Sequence, residues 1–153
     1  MNNRQLASIF SDISRLLEYK GENHFKVRAY SNASRTIKDY HEELSDLVAR
    51  GEDLKKIEGI GDAIALKIAE LLSTGRLEFY ERVKSEVPEG TLALMDLPGI
   101  GPRTAARLAA VRGITTVGEL ERELCMGDPG SLPGIGPSAA EAILRAIESG
   151  RQQ

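Results

Sequence analysis

The stretch Leu97-Pro98-Gly99-Ile100-Gly101-Pro102 is repeated in this chain, with variations, so that three copies occur. The first copy reads Ile57-Glu58-Gly59-Ile60-Gly61-Asp62, and the third reads Leu132-Pro133-Gly134-Ile135-Gly136-Pro137. Glycines at fixed positions indicate backbone that turns sharply or lies close to another group. In two copies a proline follows, which suits the first position of a helix because its missing N–H costs little there. The repeat therefore predicts helix, tight turn and helix, three times over.

Each predicted glycine turn, here called a corner, has the features of an anion-binding site. The first N–H groups of a helix have no partner inside it, and the aligned peptide dipoles add partial positive charge at the same end. Glycines before the helix have no Cβ atoms, which would otherwise prevent the close approach of a phosphate. A single Gly-Ile-Gly would favour a mere connection between packed helices, but three copies reverse that preference. A dinucleotide-binding fold is poorly supported, because every copy lacks the third glycine of G-x-G-x-x-G. The candidate phosphate-binding glycines are Gly59, Gly61, Gly99, Gly101, Gly134 and Gly136.

Composition describes an ordinary globular protein. The chain has 153 residues, of which 41% are hydrophobic and 28% charged, which suits one larger domain or two small ones. No apolar run approaches the length of a membrane span or forms a signal peptide, so no membrane association is expected. The single Cys125 cannot form an intrachain disulfide, and it is predicted to pack at a helix end. We therefore expect a cytoplasmic protein.

Basic residues concentrate in one segment although the net charge is −3. Between Lys20 and Lys38 the local charge is +4, which can dock phosphates even on a mildly acidic protein. The alternative is a solvated charged face. Beyond the second corner, Arg103 and Arg107 lie one helical turn apart and are candidates for phosphate contact, with an exposed arginine pair as the alternative. The candidate cations of the basic segment include Lys26, Arg28 and Arg35.

Helical periodicity covers nearly the whole chain and predicts an all-α fold. The turn-forming stretch from Glu86 to Gly90 predicts a boundary between two small helical domains, residues 1–85 and 86–153. In the second domain Thr116 is predicted to cap a helix. The predicted helices span Arg4–Tyr19, Lys26–Tyr40, Leu44 to an end at Gly51, Asp53–Ile57, Asp62–Ser73, Leu77–Val83, Leu92–Met95, Thr116–Leu124 and Ser138–Ser149.

Lys67 is the most chemically suggestive residue. It falls at the margin of the apolar stripe of its predicted helix, roughly 90° from the stripe's centre. Its methylenes can cover apolar surface while the amine emerges at the edge. Partial desolvation lowers a lysine pKa and makes the neutral amine available as a nucleophile. On the residues alone, an ordinary snorkelling lysine is the favoured interpretation.

Ile57 to Leu72, Leu97 to Val111 and Leu132 to Ile147 resemble helix-hairpin-helix motifs. The order of features along the chain is similar to the amino-terminal region of bacterial family X DNA polymerases, which comprises a lyase-type domain and a fingers subdomain. The resemblance implies a fold like the amino-terminal domains of DNA polymerase beta. It also implies that hairpin amides hold DNA phosphates without reading bases, and that hairpin carbonyls hold a sodium or potassium ion. The corresponding carbonyls belong to Lys55, Ile57 and Ile60 in the first hairpin and to Met95, Leu97 and Ile100 in the second.

The resemblance further implies a catalytic lysine. A family lysine eight residues after the first hairpin glycine forms a Schiff base with 5′-deoxyribose phosphate, and Lys67 stands eight after Gly59. The family residues that hold the 5′-phosphate match Lys26, Tyr30 and Lys55. The sequence departs from the family twice: Ala63 replaces a common hairpin lysine, and Phe25 replaces a histidine of the phosphate pocket, with His24 one position earlier.

No Asp-x-Asp pair occurs, so the sequence cannot assemble a two-metal carboxylate cluster and is not expected to polymerise DNA by itself. It is either a free-standing relative or a fragment of a longer enzyme. The leading hypothesis is sequence-nonspecific DNA binding in repair, at gaps, nicks or 5′-phosphate ends, with no cofactor beyond a hairpin cation and with a polymerase or repair protein as partner. The alternatives are a 5′-deoxyribose-phosphate lyase that uses Lys67 and a protein–protein interaction scaffold.

Overall fold

A computed structural model describes residues 1–127 and 132–151, and all of its secondary structure in those ranges is helical. The all-α prediction is therefore confirmed. The chain divides into two compact units, Met1–Lys84 and Ser85–Gln153. Residues 128–131 and 152–153 of the predicted second domain lie outside the described ranges. Independent folding of each unit as a domain stays a prediction.

The first unit is built on two long helices, α1 (Asn3–Tyr19) and α2 (His24–Asp39), which pack against each other. Asn23 caps α2 by accepting the amide of Phe25 at 2.8 Å, so this helix begins two residues before the predicted Lys26. The helical turn that follows α3 (Leu44–Ala49) is a 3₁₀ helix, shorter than the predicted segment Asp53–Ile57. The helices of this unit are α1 (Asn3–Tyr19), α2 (His24–Asp39), α3 (Leu44–Ala49), the 3₁₀ helix (Leu54–Lys56), α4 (Asp62–Thr74) and α5 (Glu78–Ser85).

The core of the first unit is centred on an aromatic column. The ring of Phe10, which is fully buried, stacks on Tyr30 with centroids 6.1 Å apart. Tyr30 in turn stacks on Phe79 of α5 with centroids 5.7 Å apart. Two buried polar side chains fasten the helices around it: Ser14 donates to the carbonyl of Val27 at 2.9 Å, and the Asn3 side chain accepts the amide of Leu44 at 2.9 Å.

The second unit has an aliphatic core, because every phenylalanine and tyrosine of the chain lies before residue 85. Apolar side chains from both of its hairpins and from each helix within residues 85–127 and 132–151 fill it. Cys125 is exposed rather than packed at a helix end, so that prediction was wrong. The helices are α6 (Thr91–Met95), α7 (Pro102–Arg112), α8 (Val117–Met126) and α9 (Pro137–Arg151).

Thr116 caps α8, and replacing it with alanine is expected to destabilise the second unit by about 1 kcal/mol. Its hydroxyl accepts the amide of Glu119 at 3.1 Å, while the Glu119 carboxylate accepts the amide of Thr115 at 3.1 Å. The Thr115 amide and the hydroxyls of Thr116 and Thr115, which all donate to this carboxylate, hold the pKa of Glu119 below its usual range. Urea unfolding followed by far-ultraviolet circular dichroism measures the change. Thr116→Ser keeps the hydroxyl and should keep most of the stability; equal loss in both variants would contradict the capping role.

Within residues 1–127 and 132–151, no helix combines the length and the apolar character needed to cross a bilayer.

Candidate nucleic-acid interface

The three predicted hairpins share one backbone turn. In each, the isoleucine between the glycines donates its amide to the carbonyl three residues before it, at 3.1 Å for Ile60, 3.2 Å for Ile100 and 3.3 Å for Ile135. The first glycine has a φ of 95°, 77° or 74° in the three copies, the left-handed conformation that a type II turn requires at its third position. All three isoleucines are buried. The apolar side chain thus anchors the turn and leaves the flanking glycines at the surface.

The second glycine of each hairpin begins the next helix. Gly61 and Gly101 are extended, with φ of −88° and −89°, and neither helix has a side-chain hydrogen bond at its cap. The carbonyl of Gly136 starts the third helix in the same way, by accepting the amide of Ala140 at 2.9 Å. The first-turn amides of an uncapped helix need an outside partner, such as water or an anion.

Access to the corners differs among the hairpins. All six glycines are exposed, and a Cβ atom built at Gly61, Gly99, Gly101 or Gly136 would meet nothing within 4 Å. A Cβ at Gly59 would lie 3.0 Å from the Thr36 hydroxyl of α2, and one at Gly134 would lie 3.3 Å from the Thr104 hydroxyl of α7. The second hairpin is therefore the most open of the three.

The hairpin carbonyls suit a hard monovalent cation, which prefers oxygen ligands. Ile57 and Leu97, central to the two predicted sets, already accept the turn amides of Ile60 and Ile100. A carbonyl oxygen has two lone pairs, so each can also face a cation. Within the described residues, no group of three or more His, Cys, Asp or Glu side chains could hold a metal ion. A monovalent cation held by backbone oxygens stays a prediction.

The predicted cations are exposed. Arg103 and Arg107 follow the second hairpin on α7, and in the described part of the chain neither pairs with a carboxylate. Arg28 and Arg35 are likewise exposed on α2. The helix after the third hairpin instead carries two exposed glutamates against two exposed arginines, and one of these, Arg151, already pairs with Glu121 and Glu148, which disfavours phosphate there. The open geometry and the positive charge therefore coincide at the second hairpin.

Lys67 lies in a cluster of cations around the ring of Phe79. Its Nζ is 4.9 Å from the ring centroid, that of Lys26 is 5.5 Å away, and the Cζ of Arg82 is 5.3 Å away. Each distance is within the range of cation–π attraction. The structure thus brings together Lys26, Tyr30 and Lys67, which were predicted to act as one site, with Phe79 as their common contact.

The electrostatics of this cluster favour the neutral amine of Lys67. Partial burial lowers its pKa, and the positive charges of Lys26 and Arg82 lower it further, while Glu70 acts in the opposite direction. Lys67, Glu70, Phe79 and Arg82 line an open surface pocket of about 350 Å³. An amine in such a setting is a better nucleophile at neutral pH than an ordinary surface lysine.

Tyr30 and Lys55 are placed less favourably than Lys26 for holding a phosphate at this pocket. Tyr30 is only 5% exposed, and burial raises its pKa, so its ring mainly supports Phe79. Lys55 lies beside Asp62, with Nζ to Oδ1 at 3.5 Å, and lines a neighbouring pocket instead. Phe25, which departs from the family pattern, is 78% exposed. A phosphate role for Tyr30 and Lys55 stays a prediction.

Phe79 and Arg82 were missed by sequence reasoning. They lie on α5, beyond the first hairpin, at i and i+3, which puts both on one helix face. That spacing was visible in the sequence. Nothing in the sequence, however, linked this face to Lys26, since the contact depends on how α2, α4 and α5 pack.

Comparisons with known proteins agree with this geometry. Residues 1–77 match the family of the helix-hairpin-helix domain, and residues 91–149 match that of the SAM-like helix-hairpin-helix tandem. The chain is 29% identical, over 99% of its length, to DNA polymerase/3′-5′ exonuclease PolX of Bacillus subtilis (strain 168), and covers 26% of that protein. It is 27% identical, over 79% of its length, to DNA polymerase lambda of Arabidopsis thaliana, and covers 22% of it.

The chain thus spans about a quarter of the length of these curated relatives. The predicted resemblance to the amino-terminal region of family X DNA polymerases is confirmed. The first of the two family matches covers half of the chain and includes the first hairpin. The chain therefore belongs to the helix-hairpin-helix domain family.

Proposed function

We propose that this protein binds DNA through the sugar–phosphate backbone, without regard to base sequence, at gaps, nicks or 5′-phosphate ends during repair. The observation that carries the proposal is the repeated exposed glycine corner at the start of an uncapped helix. The similarity to two DNA polymerases supports it.

The second hairpin is the principal contact in this proposal. A Cβ atom built on Gly99 or Gly101 would meet nothing within 4 Å, so a phosphate oxygen can approach the amides at the start of α7. Arg103 and Arg107 on the same helix add charge-assisted hydrogen bonds. The first hairpin, with Lys26, Arg28 and Arg35 on α2, supplies a second group of contacts. Contacts of this kind position a protein on DNA and carry no base information.

Binding of a gapped duplex is expected to weaken with salt at a log–log slope of about −4 to −5, because the two groups of cations and amides would neutralise roughly four to six phosphates. Fluorescence anisotropy between low and moderate salt measures the slope. Two gapped duplexes of unrelated sequence should give the same Kd. Lack of binding at low salt, or a strong preference for one sequence, would contradict the proposal.

A second candidate function is 5′-deoxyribose-phosphate lyase activity, favoured by the setting of Lys67. Its neutral amine would attack the C1′ aldehyde of the opened sugar and form a Schiff base with loss of water. Removal of a C2′ proton would then expel the 3′-phosphate, and hydrolysis of the Schiff base would release the sugar. Lys26 and Arg82 would face the 5′-phosphate, and none of these steps requires a metal.

Borohydride trapping in the presence of a chelator tests this second function. An incised abasic duplex should give a covalent protein–DNA adduct if the Schiff base forms. An undamaged duplex should give none. If no adduct forms on the abasic substrate, DNA binding alone is left.

A further inference from the structure

A polar groove of about 420 Å³ lies between α1 and α2, apart from the hairpins and from the Lys67 pocket. None of its lining residues lines the Lys67 pocket. On α1, Arg4, Ser8 and Ser11 follow one another at intervals of four and three residues, so they share one helix face. On α2, Lys38 stands one turn beyond Ser34 and lines the same groove.

The charges of this groove leave an excess of cations. Among the described residues that line it, Asp12 is the only carboxylate, and both oxygens of Asp12 are already engaged: Oδ1 accepts from Arg15 at 2.7 Å, and Oδ2 accepts from the Tyr80 hydroxyl at 2.7 Å. Burial and the Asp12 carboxylate raise the pKa of Tyr80, so its hydroxyl stays protonated and keeps donating. Both oxygens of Asp12 therefore have partners other than Arg4 and Lys38.

Arg4 and Lys38 stand on opposite walls of the groove, and both are exposed. In the described part of the chain, neither forms an ion pair. Between these walls, the Ser34 hydroxyl donates to the carbonyl of Ala7 at 2.6 Å and links the two helices. A guanidinium, an ammonium and serine hydroxyls that face one space form a donor-rich set suited to an oxyanion with several oxygens.

We propose that this groove binds a phosphate group and that, in a complex with DNA, the group is a backbone phosphate additional to those at the hairpins. The DNA contact rests on the proposed function, whereas the binding of a phosphate group by the groove does not. A phosphate fits better than a carboxylate because its oxygens point in several directions and can reach Arg4, Lys38 and the α1 hydroxyls at once. The groove would extend the DNA contact of the first unit from Lys38, at the end of the predicted basic segment, across to α1.

The double variant Arg4→Gln/Lys38→Gln tests the groove. Both side chains are exposed, so the fold should be kept, and thermal unfolding checks it. The salt slope of gapped-duplex binding should become less steep by about 1, the value for one lost phosphate contact. The matched control Arg76→Gln/Arg122→Gln removes two arginines elsewhere on the surface and should leave the slope unchanged. Equal slopes in the two double variants would refute the groove as a DNA contact.

A titration with inorganic phosphate tests the site without DNA. At constant ionic strength, the NMR amide signals of Ser8 and Ser11 should shift saturably in the wild type and not in Arg4→Gln/Lys38→Gln, while Arg4→Lys/Lys38→Arg should restore the shift. Absence of any shift would refute the site. If the wild type binds DNA but Arg4→Gln/Lys38→Gln has the same salt slope as its control, only the inferred DNA contact is refuted. A wild type that binds no DNA refutes the proposed function, and the phosphate titration still decides about the groove.

Discussion

Lys67→Ala is expected to abolish the borohydride-trapped adduct with an incised abasic duplex if the lyase function holds. The reason is that the Schiff base needs a neutral amine, and Lys67 has its pKa lowered by burial and by Lys26 and Arg82. Denaturing gel electrophoresis with labelled DNA measures the adduct. Lys56→Ala removes another exposed lysine near the first hairpin and should leave the adduct intact. An adduct that survives Lys67→Ala at the wild-type level would show that another amine is the nucleophile.

Lys26→Gln is expected to shift the pH dependence of adduct formation. Removing the positive charge of Lys26 by Lys26→Gln lets the pKa of Lys67 rise toward its ordinary value, since Lys26 lowers it in the wild type. A higher pKa leaves less neutral amine at a given pH. The pH at half-maximal adduct formation should therefore move upward at saturating DNA. A downward shift would contradict the electrostatic coupling between the two lysines.

Gly99→Ala is expected to weaken binding of a gapped duplex about tenfold, equivalent to about 1.4 kcal/mol, because it disturbs amides that would hold a phosphate. Gly99 has a φ of 77°, and its added methyl would meet no protein atom within 4 Å. A left-handed alanine costs about 1–2 kcal/mol of folding stability, so stability must be measured as well as affinity. Fluorescence anisotropy and thermal unfolding provide the two values.

Gly113→Ala is the matched control. Gly113 lies at the other end of α7 from the hairpin, with a φ of 67°, and a Cβ atom added there would also meet nothing within 4 Å. Gly113→Ala therefore introduces the same kind of backbone strain as Gly99→Ala, but outside the hairpin. Equal loss of affinity in Gly99→Ala and Gly113→Ala would mean that strain, and not the phosphate site, is responsible. Gly134 is a poorer probe, because its neighbour Thr104 would have to move. Under the scaffold alternative, Gly99→Ala would leave binding of a protein partner intact.

The repeated hairpin could be predicted from the sequence because its information is local. A glycine with positive φ, a buried isoleucine and an extended glycine before a helix occupy three consecutive positions, and each has its own residue preference. The start of α2 was harder to predict, because the residues around Asn23 suit either a helix cap or a turn. Cys125 was misplaced because it follows the buried Leu124 directly and so lies about 100° around α8 from it, off the face that Leu120 and Leu124 turn to the core.

The candidate site was less predictable, since its parts are distant in the chain. The margin position of Lys67 follows from helical periodicity, but the cations around Phe79 come from three helices. The α1–α2 groove likewise depends on Tyr80, which lies far along the chain from Asp12 and holds one of its oxygens. Such arrangements result from tertiary packing, and no single segment encodes them.

The confinement of every phenylalanine and tyrosine to the first unit has a consequence for both recognition and spectroscopy. Many proteins that bind single strands stack nucleobases on aromatic side chains. The second unit has no aromatic side chain, so under the proposed function a strand bound there would be held through its backbone. The chain also lacks tryptophan. Near-ultraviolet absorbance and tyrosine emission will therefore follow the melting of residues before position 85 alone, and the remainder of the molecule will be optically silent at those wavelengths.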